Sequence, residues 1–221
     1  MESQKLEFTR HSQTDIFIGT ELFSVLASKF NIAGLPKNCA IITNETVANF
    51  YLEPMKKALT EKNIRIVPVI IQDGESFKNF DTVQKIIAEL SNNEIDRDCP
   101  IIGLGGGVIC DITGFIASIY KRGVPLILFP TSLLAMVDAS FGGKNAINTT
   151  NAKNLVGSFY QPLMTFMDVS LLNSLPLSQL YYGLVEPLKH GLICDMAYFN
   201  FIMKNLEDIK ARKIPVLQRV I

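Results

Sequence analysis

The sequence predicts an α/β protein: a doubly wound, mostly parallel sheet of the Rossmann-like kind, followed by the start of an all-helical segment. Three observations carry this. Short apolar runs alternate with helix-length amphipathic segments from Asp15 to Phe129. The run Pro100–Leu104 then meets a cluster of glycines, Gly103, Gly105, Gly106 and Gly107, that opens another apolar helix. Beyond Leu171 no further strand pattern is present, and the periodicity is helical. Strands separated by helices of this length are joined by right-handed crossovers, which makes neighbouring strands parallel and covers both sheet faces.

Taken in order, Asp15–Gly19 reads as a strand, and Leu22, Phe23, Val25 and Leu26 sit at helical spacing within Glu21–Phe30. Cys39–Thr43 (CAIIT) is a buried strand, and Asn44 is placed to cap a helix from Glu45 towards Lys62. The β-branched run Ile64–Ile71 gives a third strand, Asp73-Gly74-Glu75 a turn, and Phe80–Leu90 a helix. Pro100–Leu104 and Leu126–Phe129 are the fourth and fifth strands, with the helix Val108–Tyr120 between them, and Thr165–Asp168 adds one more. Lys144–Pro162, rich in Asn, Gly and Lys, reads as an irregular, site-forming loop. Ser178–Ile193, Met196–Asn205 and Val216–Ile221 are helical. The expected division is a nucleotide-binding α/β domain over 1–168 and the beginning of a helical domain over 169–221. No finishing element follows, so the chain is expected to be a fragment of a longer protein.

Composition narrows the function. The chain has 221 residues, 48% of them hydrophobic, and 21 basic residues balance 21 acidic ones. Zero net charge gives no support to a nucleic-acid or membrane-surface role. No apolar run is long enough to span a bilayer, and the polar start MESQKLEFTR lacks a signal-peptide core, so a cytoplasmic location is expected. Cys39, Cys99, Cys110 and Cys194 show no C-x-x-C spacing and read as reduced, mostly buried side chains.

Four constellations bear on chemistry. A strand ending in glycines at a helix N-terminus leaves amides uncovered, and diphosphate suits their partial positive charge. Cys110 stands where a strict G-x-G-x-x-G would place its third glycine, and the glycines taken alone are also compatible with a flexible turn. Asp111 either accepts from a ribose hydroxyl or is favoured by the helix dipole. Arg122, Asp138, Lys144, Asn148, Lys153 and Asn154 lie in apolar or glycine-rich surroundings, which suits an anionic substrate but also ordinary solvated lysines. Glu186, Lys189 and His190 share one helix face, either as a salt-bridge cluster or as the start of a metal site. Pro187 predicts that Glu186 lies in a first turn or beside a kink.

These motifs, in this order, resemble the 3-dehydroquinate synthase family of sugar-phosphate cyclases. The resemblance runs from about Asn44 to Asp195 and rests on six segments besides that around Glu186: DGESFK from Asp73, GGGVICD from Gly105, YKRG from Tyr120, PTSLLA from Pro130, VDASFGGK from Val137 and KNLVGSFYQP from Lys153. It implies NAD and a divalent metal, zinc or cobalt, as cofactors. It also implies a small phosphorylated sugar-acid substrate, 3-deoxy-arabino-heptulosonate 7-phosphate, in the shikimate route to aromatic amino acids, and a homodimer. By resemblance Asn44, Asp73, Glu75, Lys78, Gly106, Gly107, Val108, Asp111, Thr131, Ser132, Leu172 and Ser174 form the NAD shell. Arg122, Asp138, Lys144, Lys153, Asn154 and Lys189 contact the substrate and carry its chemistry, and Glu186 is a metal ligand. Two alternatives share the same logic: a related cyclase of the 2-deoxy-scyllo-inosose synthase type, and a metal- and NAD-dependent glycerol or alcohol dehydrogenase. Cys110 stands for the family's usual glycine, Ser132 and Asn145 for threonines, and Ala139 for a serine. With one carboxylate of the family's metal set, the 221-residue chain is expected to bind zinc poorly and to be inactive alone.

Overall fold

The computed structural model describes residues 12–221. The polar start Met1–Arg10 and His11 lie outside the described residues. In chain order the elements are β1 (Asp15–Gly19), α1 (Leu22–Ile32), β2 (Asn38–Asn44), α2 (Glu45–Thr60), β3 (Arg65–Ile71), α3 (Phe80–Asn92), β4 (Ile101–Gly105), α4 (Gly107–Ile119) and β5 (Leu126–Pro130). There follow β6 (Lys144–Ile147), β7 (Val156–Phe159), β8 (Met164–Asp168), α5 (Leu177–Cys194), α6 (Met196–Lys204), α7 (Leu206–Lys210) and α8 (Ile214–Val220).

Six strands form one sheet in the order β1-β8-β5-β4-β2-β3, all pairs parallel. Each is one of the six strands expected from the sequence. Side chains alternate between two cores as a strand period of two requires. Ala40, Ile42, Ile101, Leu126 and Leu128 face the α3/α4 side, while Cys39, Ile41, Ile102, Ile127 and Phe129 face the α1/α2 side. Burial on both faces explains why these strands read as unbroken apolar runs. The order reverses at β2 and β4: the chain leaves β2 towards β3 on one side and β4 towards β5 on the other. In such sheets a crevice opens at the carboxyl ends of the two diverging strands, here beside Asn44 and Gly105.

A third core lies beneath α5–α8, where Leu180, Leu184, Ile202, Ile209 and Leu217 pack with Leu133, Met136, Met167 and Leu172. The helices therefore rest directly on the turns that leave β5 and β8. No helix among the described residues is long and apolar enough to cross a membrane.

Two local expectations are corrected. Lys144–Pro162 is not irregular throughout: β6 and β7 pair antiparallel, Lys144 opposite Phe159 and Ile147 opposite Val156. Asn44 occupies the N-cap of α2 but makes no capping bond with its side chain. Its amide donates to Asp73 Oδ1 instead, and Asp73 supplies the cap, with Oδ2 accepting from Thr46 N at 3.2 Å and Thr46 Oγ1 at 2.9 Å. The helix expected over Ser178–Ile193 is present as α5, which runs through Pro187 from Leu177 to Cys194 and so places Glu186 well past its first turn. A mid-helix proline costs about 3 kcal/mol, and burial of Leu180 and Leu184 in the third core offsets it.

Candidate functional site

The site is built on α4. Gly106, its N-cap, is extended (φ −74°, ψ −170°), and no side chain caps the helix. The three glycines here do different work. A Cβ on Gly105 would lie 2.6 Å from Ile109, so that glycine lets the helix fold back onto its own strand. A Cβ on Gly106 or Gly107 would meet nothing closer than Ser132 Oγ at 3.6 Å or Ala139 Cβ at 3.7 Å. Gly106, Gly107 and Val108 are each half-buried, and no side chain caps their amides. This is a place where an anion can approach the positive end of the helix.

Cys110, where a third glycine is usual, is fully buried, and its Sγ lies 3.8 Å from Gly105 O. Burial first, then the neighbouring Asp111 carboxylate, holds its thiol far above the ordinary range. It packs the helix against the strand and has no reactive thiolate.

Asp111, one turn further along α4, meets the buried ammonium of Lys78. The Lys78 side chain is 4% exposed and that of Asp111 19%. Nζ donates to Asp111 Oδ2 and, at 2.6 Å, to Asn154 Oδ1. Lys78 arrives through Gly74, whose φ of +117° turns the chain into a short 3₁₀ turn, Glu75–Phe77. Burial raises the Asp111 carboxyl above its usual range, Lys78 pulls it back, and the Glu75 and Asp138 charges raise it further.

The loop that brings Asn154 is tied to the same turn. Asn148 donates its amide to Glu75 Oε1 at 2.7 Å and its backbone N–H to Lys78 O at 2.7 Å, while its Oδ1 accepts from Asn154 N at 2.9 Å. Asn148 stood among the polar loop residues in the sequence, but nothing in its spacing revealed that it bridges the two segments.

Asp138 lies in a π-helical turn, Ala135–Ala139, closed by Ser140 N donating to Ala135 O at 3.0 Å. π-turns are rare and gather at functional sites. Asp138 Oδ1 accepts from Lys144 Nζ at 3.1 Å. Lys144 opens β6 after Gly142 and Gly143, whose φ of +74° and +65° a residue with a Cβ rarely adopts.

Together Asp111, Asp138, Lys144 and Asn154 line one cavity of about 440 Å³, with Phe159 at its rim. It lies between α4 and the β6–β7 hairpin, and Ala139 in its lining is the neighbour of Gly107, so the cavity adjoins the first turn of α4. Lys153 is exposed and is not among the residues lining this cavity, and neither is Arg122, which lies past the opposite end of α4. Ser132 adjoins Gly106 and accepts from Ala135 N at 3.3 Å, and Val108 is half-buried in the first turn of α4. Thr131 is buried, its N–H on Gly105 O at 2.9 Å. The Leu172 side chain is wholly within the third core, and Ser174 Oγ accepts from the Tyr51 hydroxyl at 2.6 Å.

Glu186, Lys189 and His190 share a face of α5. Glu186 Oε1 accepts from Lys189 Nζ and lies 3.4 Å from His190 Nε2. Among the described residues no group of three or more His, Cys, Asp or Glu converges to hold a metal ion. The side chains here thus fit the salt-bridge cluster, and by themselves do not fit a resident divalent cation. The open amides at Gly106 and Gly107 do fit a dinucleotide.

Comparison with known proteins agrees with this geometry. A family model described as 3-dehydroquinate synthase N-terminal matches residues 68–182. The 3-dehydroquinate synthase of Pseudomonas putida is 42% identical over 224 residues, taking in all of this chain and 60% of that protein. That of Nitrosospira multiformis is 44% identical over 181 residues, 82% of this chain and 50% of that protein. The chain thus spans between half and three fifths of these curated relatives. Among solved structures, ValA, a 2-epi-5-epi-valiolone synthase from Streptomyces hygroscopicus with NAD+ and Zn2+ bound, superposes with a TM-score of 0.88 at 26% identity, covering 98% of this chain and 61% of that one. A 2-deoxy-scyllo-inosose synthase complexed with carbaglucose-6-phosphate, NAD+ and Co2+ gives a TM-score of 0.74 at 23% identity, covering 92% of this chain and 59% of that one, and shares the fold. Motifs, topology and sequence relatives agree: the chain belongs to the 3-dehydroquinate synthase family.

Proposed function

We propose that this chain is the cofactor- and substrate-gripping part of a 3-dehydroquinate synthase, a phosphate-eliminating carbon–oxygen lyase that converts 3-deoxy-arabino-heptulosonate 7-phosphate into 3-dehydroquinate and phosphate. One observation carries the reading. Lys144, Asp138, Asn154 and Asp111 line a single cavity beside α4, and Ala139 in its lining neighbours Gly107 in the uncapped first turn of that helix.

NAD, when bound, supplies a hydride acceptor and donor within one catalytic cycle, so the reaction has no net redox change. Its diphosphate belongs on the first-turn amides at Gly106–Gly107, with Ser132 and Val108 alongside. Asn44, at the end of β2, and its partner Asp73, just after β3, border the same crevice. Asp111 and Lys78 orient what lies between the cofactor and the cavity. Asp111 is nearly neutralised by its partner, so it accepts hydrogen bonds without presenting a bare negative charge to an anionic sugar.

Lys144 is 62% exposed at its side chain and has one carboxylate partner. Its ammonium is free to turn towards the phosphate or carboxylate of the substrate, with Asp138 holding it in place. The exposed Lys153 lies next to Asn154 and adds cationic field at the same mouth. Arg122, Lys189, Leu172 and Ser174 keep their family roles as part of the proposal, and so does Glu186 as one metal donor. The reading also carries the division at residue 168, a cytoplasmic enzyme and the family's homodimer, which sedimentation of the purified chain measures.

Calorimetric titration of the chain with NAD, then with the sugar phosphate in the presence of NAD, tests the proposal. Saturable NAD binding that Gly107→Val abolishes, in a variant with an unchanged melting curve, is the expected result. Binding that is indifferent to this substitution removes the cradle from the argument.

A further inference from the structure

The hairpin that carries Lys144 is anchored at one end by Ile147, buried in the core it shares with α4, and at the other end, where Lys144 lies, it meets α4 through a buried polar side chain. Asn145 is 4% exposed. Both hydrogens of its carboxamide are used: Nδ2 donates to Gly143 O at 2.7 Å and to Tyr160 O at 3.0 Å, tying together the two ends of the hairpin. Its Oδ1 rests against Gly114 so closely that a Cβ there would lie 1.7 Å away. The residue opposite Asn145 across the hairpin is Ser158, and its Oγ donates to Ser118 Oγ at 2.8 Å.

Gly114 and Ser118 are one turn apart on α4, and Asp111 lies on the same face three residues earlier. The pair Asn145 and Ser158 therefore registers the hairpin against the face of the helix that bears Asp111. Lys144, next along β6, points to the other side of the ribbon and reaches Asp138. A shift of the hairpin along α4 would move the ammonium relative to both acids.

We propose that Asn145 is a positioning residue: its carboxamide, seated on Gly114, sets where the hairpin rests on α4 and so where Lys144 meets the substrate. This rests on reading the cavity as the substrate site. Threonine, usual at this position in the family, has one hydroxyl and cannot bridge the carbonyls of Gly143 and Tyr160 with two donated hydrogens. The lock is thus a property of this chain's own asparagine.

The test uses the 221-residue chain and the variants Asn145→Ala, Gly114→Ala and the double variant. Asn145→Ala removes two neutral hydrogen bonds. It should speed amide exchange in residues 144–147 and 156–159 about tenfold while the six-stranded sheet keeps its protection. NAD affinity should stay within about twofold, and affinity for the sugar phosphate with NAD present should fall about tenfold. Gly114→Ala ejects the carboxamide and should cause the same losses. Adding Asn145→Ala to it should cost nothing more, because the obstructing group is gone. Asn145→Ser keeps one donor and should fall between the parent and Asn145→Ala, which serves if the alanine variant fails to fold.

Independent, additive losses from the two alanines overturn the lock. So does wild-type exchange in Asn145→Ala. Parallel loss of NAD and sugar-phosphate affinity with a lowered melting temperature overturns the positioning role, since a general weakening of the fold does that. If the parent chain binds NAD and no sugar phosphate, the substrate reading fails and positioning with it, while the exchange rates still decide whether the lock exists.

Discussion

Replacing Lys78 with methionine should be costly, and the cost should depend on pH in a direction that the site dictates. The Lys78 side chain is 4% exposed and pairs with an Asp111 carboxylate that is 19% exposed. Breaking a buried pair by removing one partner costs about 3–5 kcal/mol, because the remaining charge is left desolvated. Residual solvent at Asp111 puts this case at the lower end, about 3 kcal/mol. With a urea slope of about 2–3 kcal/mol/M, the midpoint should fall by about 1–1.5 M.

The pH dependence follows from Asp111. Its carboxyl already lies above the ordinary range, with burial the largest cause and Lys78 opposing it. A native value above the unfolded one means that the folded state holds the proton more tightly. The resulting stability is complete below the unfolded value, near 3.9, and is lost as pH rises through the native value. Without Lys78 the native value climbs further. The deficit of Lys78→Met relative to the parent should therefore be largest at pH 7–8 and shrink towards pH 4. Urea unfolding followed by circular dichroism at several pH values measures this. Adding Asp111→Asn should restore most of the stability at pH 8, because no buried charge is then left. An equal deficit at pH 5 and pH 8, or one below about 1 kcal/mol, would refute the reasoning.

Asp73→Ala should cost about 1 kcal/mol by removing the cap of α2, while Asn44→Ala, which leaves the Thr46 bonds intact, should cost less in the same melting experiment. In the native protein one thiol of four should react with an aromatic disulfide reagent. Cys194 is exposed and Cys39, Cys99 and Cys110 are buried, with burial pushing the Cys39 thiol up to about 12. Rapid release of more than one equivalent would contradict that packing. Gly106→Ala, whose new methyl meets only Ser132 Oγ at 3.6 Å, should leave the melting temperature within a few degrees while weakening NAD binding at least about tenfold. Zinc titrated into the chain should bind no more tightly than to a surface Glu–His pair, since no three ligating side chains converge among the described residues.

The sheet was legible because each central strand is buried on both faces, so CAIIT, PIIGL and LILF stand out as apolar blocks between helices. The hairpin was not. Its strands are four residues each and form no apolar block, and Asn145 on Gly114 and Ser158 on Ser118 hold them beside the buried Ile147. A local rule also misled at one point. Asn44 has the composition of a cap, yet Asp73, 29 residues away in sequence, takes that role. At the site, glycines before a helix announce an anion cradle through chemistry that is local to a few residues. The burial of Lys78 has no such signature, because a lysine in a polar turn reads as solvated until Asp111 and Asn154 close over it.

The first strand has its partner at the far end of the sheet's sequence. Asp15 pairs with Met164, Phe17 stacks on Phe166 at 4.7 Å, and the Asp168 carboxylate receives the Leu22 amide at 2.7 Å to start α1. On a ribosome adding about 5–20 residues each second, that partner emerges roughly 7–30 s after Asp15. Until then β1 has no neighbour and α1 no N-terminal anchor, although β2, β3, β4 and β5 are already long enough to pair. The segment made first is thus among the last to settle, and its apolar residues must be shielded by other means during that interval.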